Sequence, residues 1–406
     1  RTSTTEGVIY SADNNTDPGH ANVLASSGSI ATGKNWKVQY SSDDSDIPTT
    51  GMETCASANM SRYITLTVQS GQNIKLKFLA AADDTPVKVV SGANSIDVTV
   101  GTDWSAAQNF MSDGTTMTVY GDIDGFECRG NGAKLTALDA SHNAELKTLL
   151  CMANQLTVLD LSACTQLDWL NCSENNLTVL DLSACTQLKR LACSENRLPA
   201  LDISACTRLE ELRCSENNLT VLDVSACTRL EKLDCFENSL TVLDVSACTQ
   251  LKELSCFEND LSTLDVSACT QLEKLDCFEN SLTALDVSAC TRLEKLVCYG
   301  NELSTLNVSA CTRLEELDCG GNDLTAVDVS ACTQLKVLWC FENRLTALDV
   351  SACAQLEKLY CEKNNFSTAA LNRLYCSLPD RTSTTEGVIY SADNNTDPGH
   401  ANVLAS

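Results

Sequence analysis

Residues 188–208 read LKRLACSENRLPALDISACTR, and their frame, L-x-x-L-x-C-x-x-N-x-L-x-x-L-D-V-S-A-C-T-x, recurs every 21 residues from residue 146. A fixed period with apolar residues at fixed offsets marks a stack in which each unit buries its apolar face only against its neighbours. Leu191 and Cys193 lie two apart on one short strand, so both face inward. The rest of each unit returns along a convex side. Ile123, Phe126, Cys128 and Asn131 fit the frame and open the array, with a first step of 23 residues from Cys128 to Cys151. Twelve strand-side cysteines follow this register, 128 and then 151 to 361. At about 4.8 Å per strand the ladder is roughly 53 Å long.

The frame accounts for most of the 24 cysteines. One column holds Cys151, Cys172, Cys193, Cys214, Cys235 and Cys256; the other is the cysteine of S-A-C-T, from 164 to 353. Identical positions on stacked coils are near enough to pair, yet each has two equivalent neighbours. Buried free thiols acting as small apolar groups suit the regularity best, with disulfides as the alternative. Zinc lacks a C-x-x-C pair or a nearby histidine. Cys55 is a lone thiol in a polar loop.

Two polar columns share the register. Asn154, Asn175, Asn196 and Asn217 stand where a side chain can bond the backbone of the turn after each strand. Asp160, Asp181, Asp202 and Asp223 repeat in L-D-x-S, with Asn307 as an exception; they are expected to close the convex turn. Calcium along this column is the alternative, although EF-hand spacing is absent.

Function is sought where the copies differ, in the outward strand positions. One column runs from Thr148 and Trp169 through Lys232 and Lys274 to Lys358, and the next from Leu150 through Asp234, Asp276 and Asp318 to Trp339 and Tyr360. Lysines and aspartates of neighbouring strands are expected to pair. A third column holds Phe236, Phe257, Phe278, Tyr299 and Phe341, broken by Gly320. These rings read either as a spine under the turns or as an adhesive strip for a protein or glycan. Trp169, Trp339 and Tyr360 are the stronger candidates for a contact patch.

Residues 27–122 have a different texture, with alternating runs NWKVQY, YITLTV, IKLKF, PVKVV, SIDVTV and TMTVYG. They predict a small, Ig-like β-sandwich that also covers the open end of the array, with ITLTV and NIKLKF as a hairpin. The array proper is 123–366. A helix follows over 367–380, with Ser367 as N-cap, Leu371, Leu374 and Leu378 inward and Pro379 as its stop. Gly387–Tyr390 then reads as a strand for the sheet edge.

Residues 381–406 repeat residues 1–26 letter for letter, an offset of 380. The reading is a head-to-tail series of 380-residue units in which 381–406 completes the cap of this array and 1–26 that of the preceding one. A filament of separate chains joined by strand addition is a rival, and an artificial duplication another.

Composition excludes several classes. With 54 acidic and 28 basic residues, a net charge of −26, the chain is a poor partner for nucleic acid or an anionic membrane. No run approaches the about 18 apolar residues that insert in a bilayer. Its three histidines, His20, His142 and His400, form no catalytic motif, and G-x-S-x-G, H-E-x-x-H and a phosphate loop are absent. No enzyme activity and no cofactor are expected.

The L-D-V-S-A-C-T-x-L-x-x-L-x-C-x-x-N-x-L unit resembles the cysteine-containing leucine-rich repeats of internalin J-like and BspA-like bacterial surface proteins, over roughly residues 123–400. S-A-C-T replaces the S-x-N-T common in the internalin J type, doubling the cysteines. The resemblance implies a location outside the cell or on the bacterial surface, and a role as an adhesin toward host proteins, mucins or other cells. The combined expectation is a β-rich, leucine-rich-repeat solenoid after a small β-sandwich, closed by a helix and strand. Its role is that of an extracellular structural unit partnered head to tail with adjacent copies. The alternative is an adhesin that binds host protein, mucin or glycan through its concave face.

Overall fold

A 21-residue unit too small to bury its own leucines has to stack, and the computed structural model shows one coil per period. It describes residues 57–382 and 386–391, together with the strands Gly7–Ala12 and Trp36–Tyr40. Those two, β1 and β2, pair in parallel within a compact unit of residues 1–58. The second unit, 59–406, begins with β3 (Tyr63–Val68), β4 (Asn73–Ala80), β5 (Thr85–Ser91), β6 (Asn94–Val100), β7 (Gln108–Met111) and β8 (Thr116–Gly121). It continues with β9 (Ile123–Glu127), β10 (Leu135–His142), β11 (Thr148–Leu150) and β12 (Val158–Asp160). Three-residue strands then follow at each period, β13 (Trp169–Asn171) to β22 (Lys358–Tyr360), before helix α1 (Thr368–Ser377) and β23 (Val388–Tyr390).

The repeat strands form one parallel sheet in unbroken register, Leu170 beside Leu191 beside Leu212. Behind it, Leu188, Leu191, Leu198, Cys193 and Cys206 are at most 1% exposed, and every coil repeats the arrangement. Apart from exposed Cys376, each described cysteine is a buried free thiol. Burial pushes the thiols of Cys172 and Cys206 up to about 12, so they stay protonated and unreactive at neutral pH. Convex-side thiols also lean on the previous coil: Cys248 donates weakly to the carbonyls of Val224 and Cys227, both at 3.8 Å.

Asparagine ties the coils together. Asn196 donates to the carbonyls of Cys193 in its own coil and Cys172 in the previous one, both at 3.1 Å, and accepts from the Leu177 amide at 3.0 Å. Asn175 and Asn217 repeat the pattern. The preceding residue adopts left-handed backbone, φ 53° at Glu195 and 52° at Glu216, and glycine takes this slot at Gly300 and Gly321. A non-glycine residue there costs roughly 1 kcal/mol, which the asparagine bonds offset. On the convex side Asp202 accepts from the Ser204 amide at 3.0 Å, closing the turn, and the Ser204 hydroxyl and amide hold its carboxyl below the usual range.

The N-terminal end covers the array as expected, but not as a separate Ig-like sandwich. Strands β4 and β7 extend the repeat sheet past β9, while β12, β10, β3, β8, β5 and β6 form a second, six-stranded sheet. Both sheets therefore run on into the repeats, and the strands from 63 to 121 cover the open core with Phe78, Phe110 and Phe126. The expected hairpin is absent, because β3 pairs with β8 and β10 whereas β4 pairs with β7 and β9. Each strand has one apolar row, and placing them on opposite walls lets both rows meet the same core. The Ser112 hydroxyl steadies the arch by donating to the carbonyls of Gln69 and Gln72. Trp36–Tyr40, read as part of the sandwich, pairs instead with β1.

At the other end Ser367 caps α1 by accepting from the Ala370 amide, and Leu371 and Leu374 bury against the last coil. Leu378 is the C-cap rather than a helical residue, but still packs on the core. Strand β23 then adds in parallel to β22.

Asn196→Ala should lower stability by about 3 kcal/mol, since two carbonyls and an amide lose their partner. Asn196→Asp should cost more, because a carboxylate would face the two carbonyls; chemical denaturation checks both. With a thiol reagent at pH 8, at most two of the 24 cysteines should react quickly in the native protein, Cys376 and Cys55 (outside the described residues), and all after denaturation.

Candidate protein-binding face

The outward residues of the repeat strands stand in columns because the register never slips. The column after the strand cysteine stacks its rings: Phe236 and Phe257 are 4.3 Å apart at 9°, and Phe257 and Phe278 are 4.2 Å apart at 10°. Tyr299 continues the row at 5.5 Å, and its hydroxyl donates to Glu279. At Gly320 the ring of Phe341 folds over the vacant side-chain position, where a Cβ would lie 2.7 Å from ring atoms, and so reaches to 6.5 Å from Tyr299. The rings are half-buried, so they brace the edge of the sheet while leaving part of their faces open.

A second stack lies toward the C-terminal end. Trp339 and Tyr360 are 5.7 Å apart at 13°, and Tyr390 joins them at 4.7 Å and 7°. The third ring comes from β23, outside the repeats, and is 48% exposed. Reading the columns of the repeat frame stops at Tyr360 and misses Tyr390. The alternation of Val388-Ile389-Tyr390 carries the signal, because it sets Ile389 inward against Leu359 and Tyr390 beside Tyr360. Trp169 does not join this group. It lies eight periods from the Trp339 coil, roughly 38 Å at about 4.8 Å per strand, with the Arg190 guanidinium 4.8 Å above its ring. Arg190, Glu211 and Arg213 share its shallow depression.

Charges alongside the phenylalanine row pair differently from expectation. Lys232 is 2.7 Å from Glu253 but 3.9 Å from Asp234, and Lys274 also reaches Glu253 at 3.1 Å. Long side chains pair along their own column, while the short aspartates stay close to the strand and half-buried. Burial accordingly raises Asp234 and Asp276, and Asp276 keeps one buried oxygen without a hydrogen-bond partner. Burial raises Asp318 to about 6, against the bond from the Gly320 amide and the pull of Lys295. Beside the phenylalanine row, Glu216 and Glu258 are raised by desolvation and by neighbouring glutamates of an acidic ridge. Along the convex side each aspartate turns to its own serine, and no cluster of metal-ligating side chains occurs among the described residues.

The functional domain of InlJ from Listeria monocytogenes, which includes a cysteine ladder, is 31% identical to this chain, with a TM-score of 0.60 over 70% of this chain and 66% of that one. This chain thus spans just under two thirds of that relative's length. A leucine-rich-repeat protein of Leptospira interrogans is 22% identical, TM-score 0.51, over 62% of this chain and 73% of its own. An internalin of L. monocytogenes, InlF, is 22% identical, TM-score 0.50, over 66% and 86%. The latter two show the solenoid fold alone. No protein-family model and no curated protein matches the chain.

Asp318 has a raised folded-state value, so its contribution to stability is full below about pH 4 and lost as pH rises through about 6. Asp318→Asn, which keeps the acceptor for Gly320, should therefore raise stability by about 2 to 3 kcal/mol at pH 7.5 and leave it unchanged at pH 4, read as denaturation midpoints.

Proposed function

We propose that the chain is an internalin-like leucine-rich-repeat protein with a cysteine ladder, a non-enzymatic, extracellular or surface protein of a bacterium that binds another protein on its concave face. The observation that carries this reading is the Trp339–Tyr360–Tyr390 stack, three parallel rings on a rigid sheet. Rigid aromatic faces that lose little entropy on contact dominate protein interfaces. With a net charge of −26 and an acidic ridge alongside, the matching partner is neutral or basic.

A second reading, the repeated structural unit, is favoured by how residues 381–391 are used. This copy of residues 1–11 is built into the array: Arg381 donates to the Leu356 carbonyl at 3.2 Å, Ser391 bonds the Tyr375 hydroxyl at 2.9 Å, and Ile389 packs on the core. A segment that finishes one array and also stands before the next suits units joined head to tail. The two readings are compatible.

Screening the protein against arrayed extracellular proteins and mucins tests the first reading. The Kd of a genuine partner should rise about tenfold or more with Trp339→Ala and Tyr360→Ala together, and less than about twofold with Trp169→Ala. A partner indifferent to the first pair would place binding elsewhere. For the second, electron micrographs of native material should show a regular string of identical units; isolated two-domain particles would overturn it.

A further inference from the structure

The duplicated sequence occurs in two places in the structure and has a different parallel partner in each. Residues 7–12 pair with Trp36–Tyr40, Ile9 opposite Val38 and Tyr10 opposite Gln39. Residues 388–390 pair with Lys358–Tyr360, Ile389 opposite Leu359 and Tyr390 opposite Tyr360. If one segment followed both instructions, it would stand between two strands.

The edges permit this. The Val388 amide donates to the Glu357 carbonyl at 2.9 Å, and the Tyr390 carbonyl accepts from the Cys361 amide at 2.8 Å. The N–H and C=O of one residue point to the same side of a strand, and the side alternates from residue to residue. Ile389 therefore presents its N–H and C=O to the far edge of β23. Strand β23 is the last in its sheet, and among the described residues no strand pairs with that edge. An open strand edge beside two apolar residues that are more than 40% exposed, Val388 and Tyr390, is a template for another strand.

We propose that β23 is a shared strand, whose far edge takes Trp36–Tyr40 of a second copy of this chain, so that the repeat sheet of one copy runs on into the next. This rests on the head-to-tail reading and adds its joint. The combined register sets Leu359, Ile389 and Val38 in one row, and Tyr360, Tyr390 and Gln39 in the adjacent one. The alternation of W-K-V-Q-Y, with apolar or aromatic residues at 36, 38 and 40, suits a strand with one buried face. The path is also long enough: β1 and β2 are separated by residues 13–35, more than the dozen or so that a parallel crossover needs. Side chains hold β23 in place. The Arg381 guanidinium lies 3.7 Å from Glu357, and its Cδ would be 2.9 Å from a Cβ at residue 387, so glycine there lets the strand seat. Identical residues precede β1.

The test uses the full chain and proline as a single-edge probe. Ile9→Pro deletes the amide that should face Trp36–Tyr40, freeing that strand for the β23 of another copy, so this variant should form head-to-tail oligomers by light scattering. Val8→Pro, which deletes an amide on the opposite edge, should leave the protein in the wild-type state. As a second measurement, a synthetic peptide of residues 1–26 should bind the Ile9→Pro chain and dissolve its oligomers. N-methylation of the peptide at Ile9 should weaken that binding about tenfold or more, and at Val8 hardly at all. The proposal is overturned if the peptide fails to bind, if Ile9→Pro stays in the wild-type state, or if the sensitivities to Val8 and Ile9 are reversed. Reversal would mean that both partners use one edge and cannot be held together. None of these results touches the count of units in micrographs, so the head-to-tail reading stands or falls separately.

Discussion

The buried asparagine is the constraint on which the solenoid depends. In the repeats each one satisfies a carbonyl of its own coil and both a carbonyl and an amide of the coil before, so no coil completes its polar bonding alone. The same bonds fix the rise between coils and the register of the sheet. They also offset the left-handed backbone at the preceding residue, which nine non-glycine residues before a described asparagine adopt, seven of them glutamates. With the spacing set, leucine and cysteine rows fall into line, and a thiol suffices where a larger side chain would push the coils apart.

Such a stack has a problem only at its ends. At the N-terminal end, both walls of the first coil are carried outward as antiparallel strands, which close over an aromatic core. At the other end α1 covers the leucines and β23 covers the sheet edge, leaving a new edge in turn. The two solutions differ in kind. The first adds antiparallel strands out to β7 and closes both walls over one core; the second adds a helix and a single parallel strand, β23, whose far edge is the joint we propose.

Regularity also decides where recognition can reside. The inward positions are spoken for by packing, and the convex aspartates by their own serines. Variation is tolerated only on outward strand positions and the adjacent edge, which become stacks because every coil projects the same slot in the same direction. The phenylalanine row and the Trp339–Tyr360–Tyr390 row are two such stacks, and the column of the second continues into half-buried aspartates whose ionisation is opposed by burial. Lysines that were expected to relieve those aspartates pair with glutamates along their own column.

What was legible in the sequence is whatever the 21-residue period carries: the coil, the inward leucines and cysteines, the asparagine and aspartate roles, and the stacking of Phe236, Phe257 and Phe278. These depend on offsets within one repeat, and every copy states them again. Ser367, Leu371 and Leu374 were readable for a similar reason, since helix capping and periodicity are local. The antiparallel cap was not, because alternation in YITLTV and NIKLKF identifies a strand without naming its partner, and only the shared core sends them to opposite walls. Tyr390 was not placed beside Tyr360 by its own repeat, for it has none; the closing of the sheet edge brings it there. The sequence by itself determined the period and everything commensurate with it. Tertiary structure alone decided how the period stops, because an end has no neighbouring copy to specify its contacts.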